Sequence, residues 1–516
     1  MAQMSLQPEW ICGLLEADAY PHAVSGLRLV ETHISWVFLT GEYAYKVKKP
    51  VNLGFVDFST LERRKFFCEE ELRLNRRTSS HLYLDIVTIG FVDGKPRIGV
   101  QPAADYAVRM RQFPAGARLD RRLEAGLVEA EDMQKTALLL ASFHSQLPPK
   151  TGVEPALAAE QASRPALDNF LHLEGDHISK ESRLKIDSIE AWTAEHAESL
   201  IPVFKQRADK GFIRECHGDL HLANLFEQDG VIYPYDSLEF NPDLRWIDQV
   251  SDIAFLVMDL MAQHRTDLAY TFLNTWLEES GDYEGLSVLH FYLVYRCMVR
   301  LKVASIQTEQ LHEDAQGEHA IKARQYLELA RTLTDSPDHP CLVLMHGFSA
   351  SGKTFTSGKL ITAMPAIRVR SDLERKRLHG IPRLQRPGSG IDSGLYSGTA
   401  TQKTYMTLAR HCETGLRAGF NMIADAAFLK REWRSHFLNL AHKLGARSVI
   451  MECSAPLETL QARIRQRSVE GQDESDADTA VLEYQLAHFD PLDNEERVLV
   501  KSETCFSQNT DASVLI

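Results

Sequence analysis

One octapeptide limits the choice of fold more than any other part of the chain. Residues 347–354 read GFSASGKT, with Gly347 and Gly352 five apart and Lys353-Thr354 directly after. This spacing matches a phosphate-binding loop. Gly347, Ser349, Ala350, Ser351 and Gly352 would curl their backbone N–H groups around phosphates. Lys353 would neutralise the β and γ oxygens, and the Thr354 hydroxyl would ligate Mg²⁺. A short apolar strand, CLVLM (341–345), precedes the loop. A helical stretch, TFTSGKLITAM, follows and would add its positive end. The plainer alternative is a chance glycine-rich turn.

Around this loop the pattern alternates. AIRVR (366–370), FNMIAD (420–425) and RSVIMEC (447–453) read as further strands separated by helical stretches, which predicts a mostly parallel sheet. Asp372 would sit just past the end of a strand, where open α/β sheets place ligands. There it could take the proton of an attacking hydroxyl, or simply cap a helix. Arg375 could hold an acceptor phosphate, and Asp425 could meet the hydration shell of Mg²⁺. Arg463 and Arg467, four apart on one helical face, could fold over the γ-phosphate or be solvated charges. With these residues, 341–505 resembles the P-loop small kinases that include polynucleotide 5′-kinases and zeta-toxin-like enzymes. The resemblance implies transfer of the ATP γ-phosphate to a hydroxyl, with Asp372 as base. It leaves the acceptor open.

A second constellation lies upstream. CHGDLHLANLF (216–226) is followed about ten residues later by YDSLEF (235–240). Three readings fit it: a zinc site on His217 and His221, a structural polar turn, or a loop of the form H-x-D-x-x-x-x-N. On the third, Asp219 orients or deprotonates the acceptor, while Asn224 and Asp236 hold Mg²⁺. That reading needs a strand lysine paired with a helix glutamate. ISWVFLT (34–40) and YAYKVKK (43–49) predict a hairpin that carries Lys46. STLERRKFFCEEELRLNRR predicts the next helix, with Glu69, Glu70 or Glu71 available and Glu69 favoured. HLYLDIVTIGFV and KPRIGVQPA form another expected strand pair across Asp93-Gly94, and the pattern from about 130 to 330 is mainly helical. Residues 1–330 then resemble the aminoglycoside phosphotransferase branch of the kinase-like fold; the ASFHSQL helix and the IDQVSD aspartates (Asp248, Asp252) fit it too. The resemblance implies a strand-rich lobe and a helical lobe with ATP between them. No G-x-G-x-x-G loop precedes Lys46, so phosphate closure would fall to backbone groups and Ser35. The order of the two resemblances matches a bacterial group of fused phosphotransferase and ATP-binding proteins.

The expected architecture is therefore an α+β bilobal kinase-like domain (1–333), a polar linker TDSPDHP (334–340) and an α/β P-loop domain (341–516). ATP and Mg²⁺ are the expected cofactors. The acceptor is expected to be a small-molecule or nucleotide-like hydroxyl compound. A net charge of −14 disfavours polyphosphate partners, so a nucleic-acid end is possible but not favoured. Eight scattered cysteines without a C-x-x-C pair argue against a zinc ribbon or a disulfide framework. The N-terminal MAQMSLQPEW lacks a signal-peptide pattern, and the most apolar run, IAFLVMDLMA (253–262), is too short to span a bilayer. A cytoplasmic protein without a membrane partner is expected; oligomeric state is left open. Rival functions are a regulatory ATP-binding protein with one inactive module, a toxin-like kinase and an antibiotic-modifying enzyme.

Overall fold

The computed structural model describes residues 9–54, 56–152, 154–173, 179–310, 313–335, 339–383, 385, 397–470 and 478–502. The chain forms two compact units: Met1–Ala162 with Lys205–Leu256, and Ser163–Phe204 with Val257–Ile516.

The first unit is built on an antiparallel sheet of β1 (Arg28–Glu31), β2 (Ser35–Leu39), β3 (Tyr43–Lys48), β4 (Tyr83–Val92), β5 (Lys95–Ile98) and β6 (Asp105–Arg111), in the order β1-β2-β3-β6-β4-β5. The expected hairpin is β2 against β3, with Ser35 opposite Lys48. Asp93 and Gly94 both take positive φ in the turn between β4 and β5, the geometry a two-residue hairpin requires. Strand alternation sorts β3: Tyr45 and Val47 enter a core with Trp36, Phe38 and Ile89, while Ala44 turns to the other face. Lys46 and Lys48 share that second face by the same period of two. The helix Leu61–Ser79 crosses it, its start capped by the Thr60 hydroxyl, which accepts from the Arg63 N–H. Short antiparallel pairs follow, with β7 (Ile213–Glu215) on β10 (Trp246–Asp248), and β8 (Leu225–Gln228) on β9 (Val231–Pro234). The 216–226 segment lies between β7 and β8.

The second unit combines long helices with a parallel sheet of β11 (Cys341–His346), β12 (Ala366–Arg370), β13 (Asn421–Asp425), β14 (Arg447–Glu452) and β15 (Val500–Ser502), ordered β12-β13-β11-β14-β15. β11 is central and buried along its whole length, as a sheet covered on both faces requires. The compact units do not follow the 334–340 boundary. Helices upstream of it, Thr266–Ser280 among them, belong with this sheet, because their polar side chains satisfy the edge of β12. Asn274 donates to the Ala366 carbonyl at 2.9 Å and accepts from the Arg368 N–H at 2.6 Å. The Tyr283 hydroxyl donates to the Arg368 carbonyl at 3.1 Å. These are outward-facing backbone groups that would otherwise be buried unpaired. Among the described residues, no helix is long and apolar enough to cross a membrane.

Candidate functional site

In the first unit, the strand, the helix and the two loops converge. Lys46 Nζ lies 2.8 Å from Glu71 and 2.5 Å from Asp236. Lys48 reaches the other oxygen of Glu71 at 2.8 Å and also contacts Glu239. The glutamate is thus Glu71 and not the favoured Glu69, which is exposed and 3.8 Å from Lys65. The reason is helical phase. The buried positions Arg64, Cys68, Glu71, Asn75 and Ser79 form one stripe three or four residues apart, and Glu69 falls off it. Burial alone would raise the Glu71 carboxyl, but the two lysines outweigh it and hold its pKa at about 2. Burial opposes charge on Lys46 as well, yet Asp236 and Glu71 push its pKa well above the usual value. Lys46 is therefore a permanent cation.

The 216–226 segment is held from several sides. Asp252 accepts from the backbone N–H groups of His217 (3.1 Å) and Gly218 (2.8 Å), and His144 Nε2 lies 3.0 Å from it. Burial would raise this carboxyl; His144 and the loop N–H groups bring it down to about 2. Gly218 has φ +87, and a Cβ there would come 2.8 Å from the Leu244 carbonyl, so only glycine fits. Arg77 donates to the carbonyls of Glu215 and Cys216, joining the glutamate helix to the loop. Inside the loop, Asn224 Nδ2 donates to the Asp219 carboxylate at 2.8 Å, and His221 Nε2 lies 3.4 Å from the same group. The zinc reading fails on these contacts. His217 uses Nε2 on the Tyr235 carbonyl and Nδ1 on the Asp219 N–H, and His221 uses Nδ1 on the Ala223 N–H. The two histidines fasten the loop. The His217 bond and one from the Leu238 N–H to the His217 carbonyl stitch YDSLEF beside the loop. Asp236 takes φ +61, a strained value for a non-glycine residue that aims its carboxylate at Lys46.

Ser35 opens β2. Its hydroxyl is fully buried at the start of β2, and the exposed residues of the β1–β2 turn are Thr32 and His33. Opposite Lys48 in the hairpin, Ser35 shares the face of the sheet that carries Lys46 and Lys48.

In the second unit, the 347–354 segment forms a tight loop between β11 and the helix Lys353–Ala363. Gly347 has φ +147, and a Cβ there would come 2.2 Å from the Cys453 carbonyl. Gly352 has φ +103 at the helix N-cap, and Ala350 is also left-handed. Such alternation turns successive N–H groups into one concavity. Lys353 Nζ folds back onto the carbonyls of Gly347 (3.0 Å) and Phe348 (2.8 Å), and Ser349 N–H donates to Gln485. Ser351 has a buried hydroxyl. A cavity of about 430 Å³ opens here. Lys353, Thr354 and Asp425 line it, together with Arg370, Asp372 and Arg375. Arg375 lies 3.7 Å from Asp372, one helical turn on. Asp425 ends β13 and accepts from the Ser357 hydroxyl at 2.9 Å. Arg463 reaches the loop and donates to the Ala350 carbonyl at 3.0 Å. The side chain of Arg467 lies outside the described residues.

The donor chemistry suits a hard cation at both places. Thr354 and Asp425 offer a hydroxyl and a carboxylate to one cavity. Asn224 and Asp236 offer an amide oxygen and a carboxylate from loops stitched together. Sequence reasoning missed Lys48 and Glu239, the second buried pair, although KVKK places two lysines on one strand face. It also missed Tyr405, Lys430 and Trp433 in the cavity wall, with the Tyr405 and Trp433 rings stacked 4.7 Å apart. Their only signal was a position shortly after, or across from, the end of a strand.

The chain is similar to several known proteins. Uncharacterized proteins of Mycobacterium bovis and Mycobacterium tuberculosis are 29% identical over 463 residues, covering 89% of this chain and 90% of theirs. A choline/ethanolamine kinase family protein from Mesorhizobium loti aligns with 60% of this chain and 94% of its own, at 11% identity and a TM-score of 0.34. A sugar kinase from Janibacter sp. aligns with 34% of this chain and 91% of its own, at 18% identity and a TM-score of 0.24. Residues 342–492, which hold the phosphate loop and its cavity, match the model of the AAA domain family.

Proposed function

We propose that the chain is an ATP-dependent phosphotransferase whose P-loop site phosphorylates a hydroxyl of a small anionic acceptor. The observation that supports this reading is the shared cavity, which joins a phosphate loop and metal-type oxygens to Asp372 and two arginines. Its volume suits a small molecule. Arg370, Arg375 and Lys430 make the acceptor wall basic, and the Tyr405–Trp433 stack gives it a flat apolar face. Asp372 takes the acceptor's hydroxyl proton; the new O–P bond forms as the bond between the β–γ bridging oxygen and the γ-phosphorus breaks, and ADP leaves. Lys353 and the loop N–H groups bind the phosphates, and Arg463 is placed beside them. Thr354 and Asp425 would hold Mg²⁺, which supplies neutralisation of phosphate charge.

The kinase-like site would bind a second ATP, with Lys46 and Glu71 on the α and β phosphates, Asp219 as base, and Asn224 and Asp236 as metal ligands. One observation favours a sensing role for it instead: the β1–β2 turn, Thr32-His33-Ile34, has no glycine to bring backbone N–H groups against phosphate. Incubation of the full chain with γ-labelled ATP and a metabolite extract tests both. Label transfer that persists in Asp219→Asn and falls at least about 100-fold in Lys353→Ala assigns turnover to the P-loop site. The opposite pattern assigns it to the kinase-like site. No labelled product from the wild-type chain sinks the transferase reading.

A further inference from the structure

The helix Thr266–Ser280 lies outside the segment that matches the AAA domain family, yet it reaches toward the phosphate loop's chemistry. Glu278, on its last turn, is buried. One of its oxygens accepts from Arg368 Nε at 2.8 Å and Nη2 at 2.7 Å. The other lies 3.7 Å from Arg370 and 3.6 Å from Arg383. Arg368 then extends Nη1 to the Ser357 hydroxyl at 3.2 Å and to the Thr354 carbonyl at 3.5 Å. Ser357 lies 2.9 Å from Asp425 and 3.1 Å from the Thr354 carbonyl.

A serine hydroxyl has one proton and two acceptors within reach here. Arg368 donates into the serine oxygen and competes for the Thr354 carbonyl. Both effects direct the Ser357 proton to Asp425. The same carboxylate that fixes Arg368 lies 3.7 Å from Arg370, which lines the cavity. We propose that Glu278 is a positioning residue for the P-loop site: through Arg368 and Ser357 it sets the Asp425 carboxylate, and it holds Arg370 against the acceptor. The proposal rests on the reading of Asp425 as the residue that meets Mg²⁺. It makes the phosphotransfer site a product of two segments of chain, one of which lies upstream of the P-loop fold.

The test uses the full chain and binding rather than turnover. Affinity for ADP is titrated across Mg²⁺ concentrations in the Asp219→Asn, Asp236→Asn background, so that the P-loop site dominates. Glu278→Gln keeps the shape of the side chain and removes its charge. It is expected to raise the Mg²⁺ needed for half-maximal binding roughly tenfold, as loss of an outer partner of a metal ligand does. Ser357→Ala removes the last link without touching the helix, so it keeps the test valid if Glu278→Gln does not fold. It is expected to give the same shift, and the double variant is expected to add little further. A folded Glu278→Gln or Ser357→Ala protein with the parental Mg²⁺ dependence overturns the relay alone. Absence of any Mg²⁺-dependent ADP binding in the parent overturns the functional reading and the relay together.

Discussion

At the scale of single residues, the kinase-like site turns on a buried charge cluster. Glu71 answers two lysines, and none of the three is appreciably exposed. Replacing Glu71 leaves Lys46 with Asp236 and Lys48 with Glu239, but it removes the one carboxylate that both lysines share where water cannot reach. Glu71→Gln is therefore expected to destabilise the first unit by about 3 kcal/mol. Glu69→Gln, at an exposed position 3.8 Å from Lys65, should change stability by less than about 0.5 kcal/mol. Urea denaturation of the two variants separates these outcomes, and equal effects would refute the assignment. The sign with pH follows from the pKa of about 2. The Glu71 contribution is complete above its ordinary value near 4.5 and is lost as pH falls toward 2. The pairing of Lys46 was only partly legible in the sequence. The strand lysine showed, because a hairpin fixes its face. The glutamate partner did not, because the buried stripe of its helix contains Arg64, Glu71 and Asn75. Polar residues leave no hydrophobic period to read. The H-G-D-L-H-L-A-N segment was legible for the opposite reason: the chemistry is local, and Asp219 and Asn224 meet within one short loop.

At the scale of elements, strands and helices with strong patterns were readable and edges were not. β11, β12, β13 and β14 are short apolar runs bounded by turns, and each lies where its pattern placed it. β15 is three residues long and carries too little signal to find. The larger omission concerns what covers β12. An edge strand exposes backbone groups on alternate residues, and here the upstream helix Thr266–Ser280 supplies Asn274 and the short turn after it supplies Tyr283 to meet them. No short-range pattern announces a side chain that substitutes for a neighbouring strand. Asn274→Ala leaves the buried Ala366 carbonyl and the part-buried Arg368 N–H without these partners. A loss of about 2–3 kcal/mol is expected in denaturation of the second unit. Hydrogen exchange at Arg368 should quicken before that at β11. Exchange at Arg368 unchanged from the wild type would show that the edge is satisfied without Asn274.

At the scale of the whole molecule, the sequence divides at a polar, proline-containing stretch, whereas the compact units do not. Composition marks where a chain can be cut, but packing decides which pieces share a core. The long helix Leu286–Gln310 is upstream of that stretch, and its His290 stacks on Phe420, immediately before β13, with ring centroids 4.3 Å apart. Burial pushes the His290 imidazole down to about 4, from an ordinary 6.5. The native state thus keeps this ring neutral where the unfolded chain already takes up a proton. Between pH 6.5 and 4 the unfolded state binds more protons, so stability rises with pH across that window and falls on acidification. The stabilising contribution is complete above 6.5 and fades as pH drops toward 4, by an amount of roughly 3 kcal/mol. His290→Phe keeps a ring against Phe420 and removes the proton site. Melting temperatures measured from pH 7 to pH 4.5 should fall less steeply in this variant than in the wild type. The effect should be confined to the transition that exposes the P-loop sheet, because His290 packs on that sheet's side. Parallel pH profiles for the two proteins would mean that the ring is hydrated in solution, and that the helix and the sheet do not share a dry core.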